Sequence, residues 1–296
     1  MATYPPRLSI PWTRRIHRNR TQITMRRVFA RLEGLYYKLM KSLLKTSKLG
    51  YGLVVSGAES GTNFEHIYDA KPQGSHIVGR IVDRALLNLP SAQATRARKE
   101  QIRKFLWNEI HNNRLLGKKT RVLDLAAGTS RYLRELSEEH KKGDVESVCI
   151  DRDVASVKLG SIRCKAEGLT NLRFVRADIF ELNRLRNFSN RLKWRANVVV
   201  AAGLLMYFND RTVETMLKEI YEYLPEHGVL IFSSLERLEI RKLMRKTMSV
   251  SAGGAWVLYD RTPEYWRDVL FTAGFREIVI MRDRWQLQNV CSARKP

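Results

Sequence analysis

From about residue 117 onward the apolar residues come in short, largely apolar runs, separated by stretches in which they recur every three to four positions. The runs fall at 121–125, 147–151, 172–176, 197–201 and 228–233. Each is too short for a helix and too continuous for a strand with one wet face, which predicts parallel strands buried on both sides and joined by helices. Two further strand-like runs, 275–281 and 285–291, are separated only by Arg282, Asp283 and Arg284. A link that short cannot hold a crossover helix, so these two form an antiparallel hairpin.

Upstream the pattern is helical. Over 23–48, Val28, Leu32, Leu35, Leu39 and Leu43 lie on one helical face. Residues 50–61, rich in glycine, read as a loop or boundary. Lys71, Pro72, Gln73 and Gly74 read as a turn, followed by helices over 75–89 and 96–113. We therefore expect three regions: a basic extension over 1–50 carrying an amphipathic helix, a helical cap over 51–116, and an α/β domain over 117–296.

Charge changes this picture at one end. The chain of 296 residues carries a formal +23, and residues 1–50 hold twelve Lys or Arg against the single acid Glu33. Such a field favours acidic partners, an anionic membrane surface or RNA, and the helix over 23–48 reads as a packing helix, a membrane-surface helix or a targeting segment. No run of about 20 apolar residues exists, so no transmembrane span is expected. The three cysteines form no paired motif and the six histidines show no ligand spacing, so no metal site is expected. The protein is expected to be intracellular, soluble or peripheral, cytoplasmic before organellar.

The candidate chemistry begins at Val122-Leu123-Asp124-Leu125-Ala126-Ala127-Gly128-Thr129-Ser130. In an open parallel sheet, ligands bind at the carboxyl ends of the strands. Asp124, Asp151 and Asp178 fall at or near such ends, Ala126 and Gly128 remove bulk from the turn, and Gly203 follows the fourth strand. Asp151, 23 positions after Gly128, has the spacing of a carboxylate that accepts ribose hydroxyls, while Asp178 and Ile179 could take an adenine. A dinucleotide would require a GxGxxG turn facing its phosphates. Here one glycine follows an acid, which suits the cationic, phosphate-free S-adenosylmethionine better.

Five β/α units closed by a hairpin are the layout of the Rossmann-like class I methyltransferase fold. The segment from Gly57 to the end resembles a family of class I S-adenosylmethionine-dependent methyltransferases, some of them fused to hydrolase domains. The likeness rests on Ser56-Gly57, His66-Ile67-Tyr68, Pro72-Gln73-Gly74, the stretch from Gly79 to Arg84, and Arg96-Ala97-Arg98-Lys99. It continues through Asp124 to Gly128 with Arg131-Tyr132, then Trp256-Val257, Arg261-Thr262 and Ala273-Gly274-Phe275. It implies that Asp124, Gly128 and Asp151 bind the cofactor. One departure is Ser130, where the family turn carries a second glycine, and we expect it to narrow the turn and weaken cofactor binding.

The acceptor is less legible. After the fourth strand comes Ala201-Ala202-Gly203-Leu204-Leu205-Met206-Tyr207-Phe208, without the NPPY or DPPY of exocyclic-amine methylases and without a Pro-Cys pair for attack on cytosine. The candidate acceptor-site residues are Tyr68, Asp83, Tyr207, Trp256 and Arg261, with no general base assigned. The leading reading is a methyltransferase for a small-molecule or lipid-like acceptor near an anionic surface. An RNA methyltransferase and a noncatalytic binding protein are the competing readings.

Overall fold

A computed structural model describes residues 20–140, 143–180, 185, 187, 190, 193–237, 246–248 and 257–296. Two compact units divide at Met40. In the first lies most of a long helix, α1 (Arg20–Leu44), close to the expected 23–48. Its apolar stripe is exposed, from Phe29 at 64% through Leu32, Leu35 and Tyr36 to Leu39 at 62%.

The second unit begins with helices where the sequence suggested a loop. α2 (Lys48–Tyr51) runs into a π-helical turn over Gly52–Ser56, because the glycines let this segment sit against neighbouring backbone and the Asn63 side chain rather than breaking it. α3 (Gly61–Asp69), α4 (Ile77–Leu87) and α5 (Pro90–Leu115) follow. α5 is longer than the expected 96–113. Pro90 at its first turn supplies the fixed φ that starts a helix.

β1 (Thr120–Leu125), α6 (Arg131–Glu139), β2 (Val145–Asp151), α7 (Val154–Ala166), β3 (Leu172–Arg176), β4 (Val198–Ala201), α8 (Asp210–Tyr223) and β5 (Val229–Leu235) build the parallel part of the sheet. After α9 (Pro263–Thr272), β6 (Arg276–Arg282) and β7 (Gln288–Arg294) form the expected hairpin. Strand order is β3-β2-β1-β4-β5-β7-β6, with β7 antiparallel to both of its neighbours. The hairpin link is longer than the expected three residues. The Asp283 carboxylate accepts from the backbone amides of Trp285, Leu287 and Gln288 and so closes a five-residue turn.

Both faces of the central strands are buried, as their largely apolar sequences predicted, while β3 and β6 at the edges are partly exposed. Leu123, Leu125, Ile150, Val199 and Phe232 pack on one face with Val213, Leu217 and Trp266 of α8 and α9. Val122, Val200 and Ile231 pack on the other with Ile102, Leu106 and Ile110 of α5 and Leu133 and Leu136 of α6. Strand order reverses between β1 and β4, and the carboxyl ends there leave the crevice in which ligands of such sheets bind.

Candidate functional site

A cavity of about 670 Å³ opens over the carboxyl ends of β1 to β4. Its floor is the turn after β1, where Ala126, Gly128 and Ser130 all adopt left-handed backbone, with φ of 53°, 57° and 45°. For Ala126 and Ser130 that conformation costs about 1–3 kcal/mol each unless the surroundings fix it. Three sets of bonds fix it here. The Ala127 amide donates to Ile150 O, the Ser130 amide donates to Ala127 O, and the Gly128 amide donates to Asp151 Oδ2 at 2.7 Å.

Gly128 has a second purpose beyond clearing room for a ligand. The first residue of α3 rides on it: a Cβ added at Gly61 would come within 2.6 Å of Gly128 Cα. The helical cap is thus seated directly on the turn. Buried ion pairs hold it there, since Glu65 of α3 accepts from Thr129 Oγ1 of the turn at 2.6 Å and from Arg134 Nη2 of α6 at 2.7 Å. Arg131 of α6 pairs with Asp69 of α3, and Lys99 of α5 pairs with Glu135 of α6 at 2.7 Å.

Of the residues expected to hold a cofactor, Ala126, Gly128, Asp151, Asp178, Ile179 and Gly203 all line this cavity. Asp151 is locked in place, its other oxygen accepting from the Asp153 amide at 2.8 Å. Burial pushes its carboxyl above the usual range, while these amide bonds from Asp153 and Gly128 oppose the rise. A carboxylate has about four acceptor sites, so two amides leave room for hydroxyls of a ligand. Asp178 accepts from the Phe180 amide at 2.9 Å, which holds Ile179 and Phe180 at the rim.

Asp124 is the exception. It lies inside β1 rather than at its end, level with Cys149 and two residues short of Asp151, so its side chain is wholly buried beneath the turn and does not line the cavity. There Oδ2 accepts from Ser130 Oγ at 2.5 Å and Tyr132 Oη at 2.6 Å. Burial pushes the carboxyl up to about 7, against those two bonds, with the nearby Asp151 adding to the rise. Asp124 is therefore a positioning group for the turn. The same contact recasts Ser130, whose hydroxyl is what ties the turn to Asp124.

The acceptor-site candidates separate. Tyr68 and Tyr207 line the cavity. Asp83 does not: fully buried, it accepts from His66 Nε2 at 2.7 Å and from the Leu49 and Gln73 amides, and so clamps α2, α3 and α4 together. Arg261 does not either. It is buried beside Asp210 and donates to the carbonyls of Leu205 and Phe208, bracing the segment that carries Tyr207. Trp256 lies outside the described residues. Cavity residues that the sequence reading left without a role include Phe64, Arg98 and Tyr132.

Among the described residues no group of three or more His, Cys, Asp or Glu could hold a metal ion, and no helix is long and apolar enough to cross a membrane.

Residues 13–295 match a family described as "Putative methyltransferase". The chain is 26% identical over 267 residues to the uncharacterized protein YnbC of Escherichia coli K12, covering 88% of this chain and 45% of that protein. It thus spans less than half the length of that relative. In structure it is similar to a possible exported protein from Bordetella parapertussis, with a TM-score of 0.66 at 20% identity over 86% of this chain and 85% of that one. It is also similar to the magnesium protoporphyrin IX methyltransferase ChlM of Synechocystis PCC 6803, solved with bound SAH. There the TM-score is 0.52 at 12% identity, over 79% of this chain and 95% of that one. At such identities the likeness speaks for the fold alone.

Proposed function

The chain belongs to this family of methyltransferases, and from that premise we propose that it methylates a small-molecule or lipid-like acceptor with S-adenosylmethionine, at or near an anionic surface. The observation that carries the reading is the locked pair of Asp151 and Gly128 at the strand-order reversal, in a cavity that Asp153 and Asp178 also line. Carboxylates there repel a phosphate chain and suit a ligand with two ribose hydroxyls and a cationic tail. The site fits the cofactor in shape as well, because the turn carries no side chain larger than a methyl between Leu125 and Thr129.

When bound, S-adenosylmethionine supplies a methyl group on a sulfonium, open to in-line attack. Asp151 would take the ribose, and Asp178 with Ile179 the adenine. Phe64, Tyr68, Tyr207 and Phe208 wall the remaining cavity with aromatic surface and limit the water that reaches it. Their task is alignment of the acceptor, which can supply much of the rate enhancement of a displacement without any general base. Tyr68 and Tyr207, both lining the cavity, would offer their hydroxyls to the acceptor.

The surface half of the reading rests on α1. Its exposed stripe of Phe29, Leu32, Leu35, Tyr36, Leu39 and Leu43 is accompanied by Arg31, Lys38 and Lys41, the composition of a helix that lies in an anionic lipid interface.

The first test is calorimetric titration with S-adenosylmethionine, with Asp151→Ala as the control. Saturable binding that the substitution weakens is expected, and a folded protein that does not bind sinks the reading. For the surface, the expected result is sedimentation with phosphatidylglycerol vesicles and not with phosphatidylcholine, abolished by Leu35→Asp with Leu39→Asp. Salt-sensitive RNA binding that survives those substitutions would favour an RNA acceptor instead.

A further inference from the structure

Arg98 stands apart from the other buried cations. Only 5% exposed, it lines the cavity from α5, yet among the described residues no carboxylate pairs with it. Among the described residues the two other buried arginines both face acids, Arg134 with Glu65 and Arg261 with Asp210. The contacts of Arg98 are a long hydrogen bond from Nη2 to Tyr68 Oη at 3.4 Å and the Phe64 ring, 5.2 Å from its Cζ. Its Nε is buried without a partner. An uncompensated buried charge carries a penalty of several kcal/mol, about what one charge-assisted bidentate contact to an anion can offset.

Its position on the sheet says which anion. Gly203, just past β4, has φ of 70°, and a Cβ there would lie 3.0 Å from Arg98 Nη1, so the guanidinium rests against the end of β4. Along the carboxyl edge, Asp178 follows β3, Asp151 ends β2, Gly128 follows β1 and Gly203 follows β4. Neighbouring strands lie about 4.8 Å apart, which puts the end of β4 about 10 Å from the end of β2. That is the reach from a ribose through a sulfur, two methylenes and an α-carbon to a carboxylate.

We propose that Arg98 is the receptor for the α-carboxylate of the methyl donor, so that the donor lies along the strand ends from Asp178 to Gly203. The assignment rests on the methyl-donor reading above. The planar fork of arginine matches a carboxylate in a way lysine cannot, so Arg98→Lys should recover only part of what Arg98→Gln loses.

The test compares two ligands by calorimetry. S-adenosylhomocysteine carries the amino-acid tail, and 5′-deoxy-5′-methylthioadenosine keeps the adenosine and sulfur without it. For Arg98→Gln we expect about 10- to 100-fold weaker binding of S-adenosylhomocysteine, from the loss of a charge-assisted bond. Binding of methylthioadenosine should be unchanged, and Arg98→Lys should fall between. The ligand-free Arg98→Gln protein should melt no lower than the unsubstituted one, since no ion pair is lost. Equal loss of both ligands, or a lower melting temperature in the free protein, would show a structural arginine and overturn the assignment. Undiminished S-adenosylhomocysteine binding would also overturn it and move the arginine to an acidic acceptor. If the unsubstituted protein bound neither ligand, the methyl-donor reading itself would fall and take this assignment with it.

Discussion

Under the cavity, Asp124 receives hydroxyl hydrogen bonds from Ser130 and Tyr132, both within eight residues of it in the chain. On the wall built by α3 and α5, Arg98 donates a long hydrogen bond to the Tyr68 hydroxyl, at 3.4 Å, and among the described residues pairs with no carboxylate. Both groups are buried and both are ionisable, but the described residues supply partners to the first and no counter-charge to the second. The floor is thereby fixed before any ligand arrives, whereas the wall keeps bonding capacity in reserve. A buried charge with local partners shapes a site, and one without them is free to read what enters it.

The comparison can be broken most forcefully at the seam between floor and wall. Glu65→Ala would leave Arg134 without its fully buried partner and Thr129 without its acceptor. A loss of about 3–5 kcal/mol of stability is expected, read by denaturant unfolding, if the cap is truly anchored on the turn. Little change would mean that the cap and turn are independent. Next in size, Asp151→Ala removes the acceptor of the Gly128 amide along with the proposed ribose contact. It should weaken S-adenosylmethionine about 100-fold, equivalent to roughly 2–3 kcal/mol, while leaving the fold intact by circular dichroism.

The floor should also declare itself through pH. The carboxyl of Asp124 titrates near about 7 in the fold against 3.8 ordinarily, so between these values the folded chain holds a proton that the unfolded chain has released. Stability from this group is therefore greatest at acid pH and falls as pH rises toward 7, by up to about 1.4 kcal/mol per unit, levelling off above. Asp124→Asn should flatten that slope in urea midpoints collected from about pH 5 to 8. Asp151, raised in the same sense, leaves a smaller slope of the same sign.

The smallest effect is at Ser130. Glycine would relieve the left-handed backbone but lose the hydroxyl bond to Asp124. Since a hydrogen bond to a carboxylate is worth more than that relief, Ser130→Gly should destabilise by about 1 kcal/mol, a fall of a few degrees in Tm. A rise in Tm would mean that the serine is a net cost to the turn.

Much of this arrangement was legible in the sequence. Largely apolar runs alternating with helical stretches point to strands covered on both faces, and a three-residue gap forbids a crossover, so sheet type and closing hairpin followed from local pattern. Asp151, Asp178, Gly128 and Gly203 were legible as cavity residues because strand ends and small residues mark where such sheets leave a crevice. Even Arg98 left a trace: Ala94, Arg98, Ile102, Leu106 and Ile110 recur at intervals of four, all buried on one face of α5, and a charge in that register asks for an explanation.

What tertiary structure alone decided was the direction and company of each charge. Asp124 and Asp151 sit on neighbouring strands in similar sequence surroundings, yet Asp124 is level with Cys149, two residues short of Asp151, which buries the first beneath the turn and leaves the second at the cavity. Asp83 and Arg261 looked like site residues until packing paired them with His66 and Asp210, from segments 17 and 51 positions away. The periodicity of a sequence fixes which elements form and which faces they bury. The partner a buried charge finds depends on contacts between distant segments, and those exist only once the chain has folded.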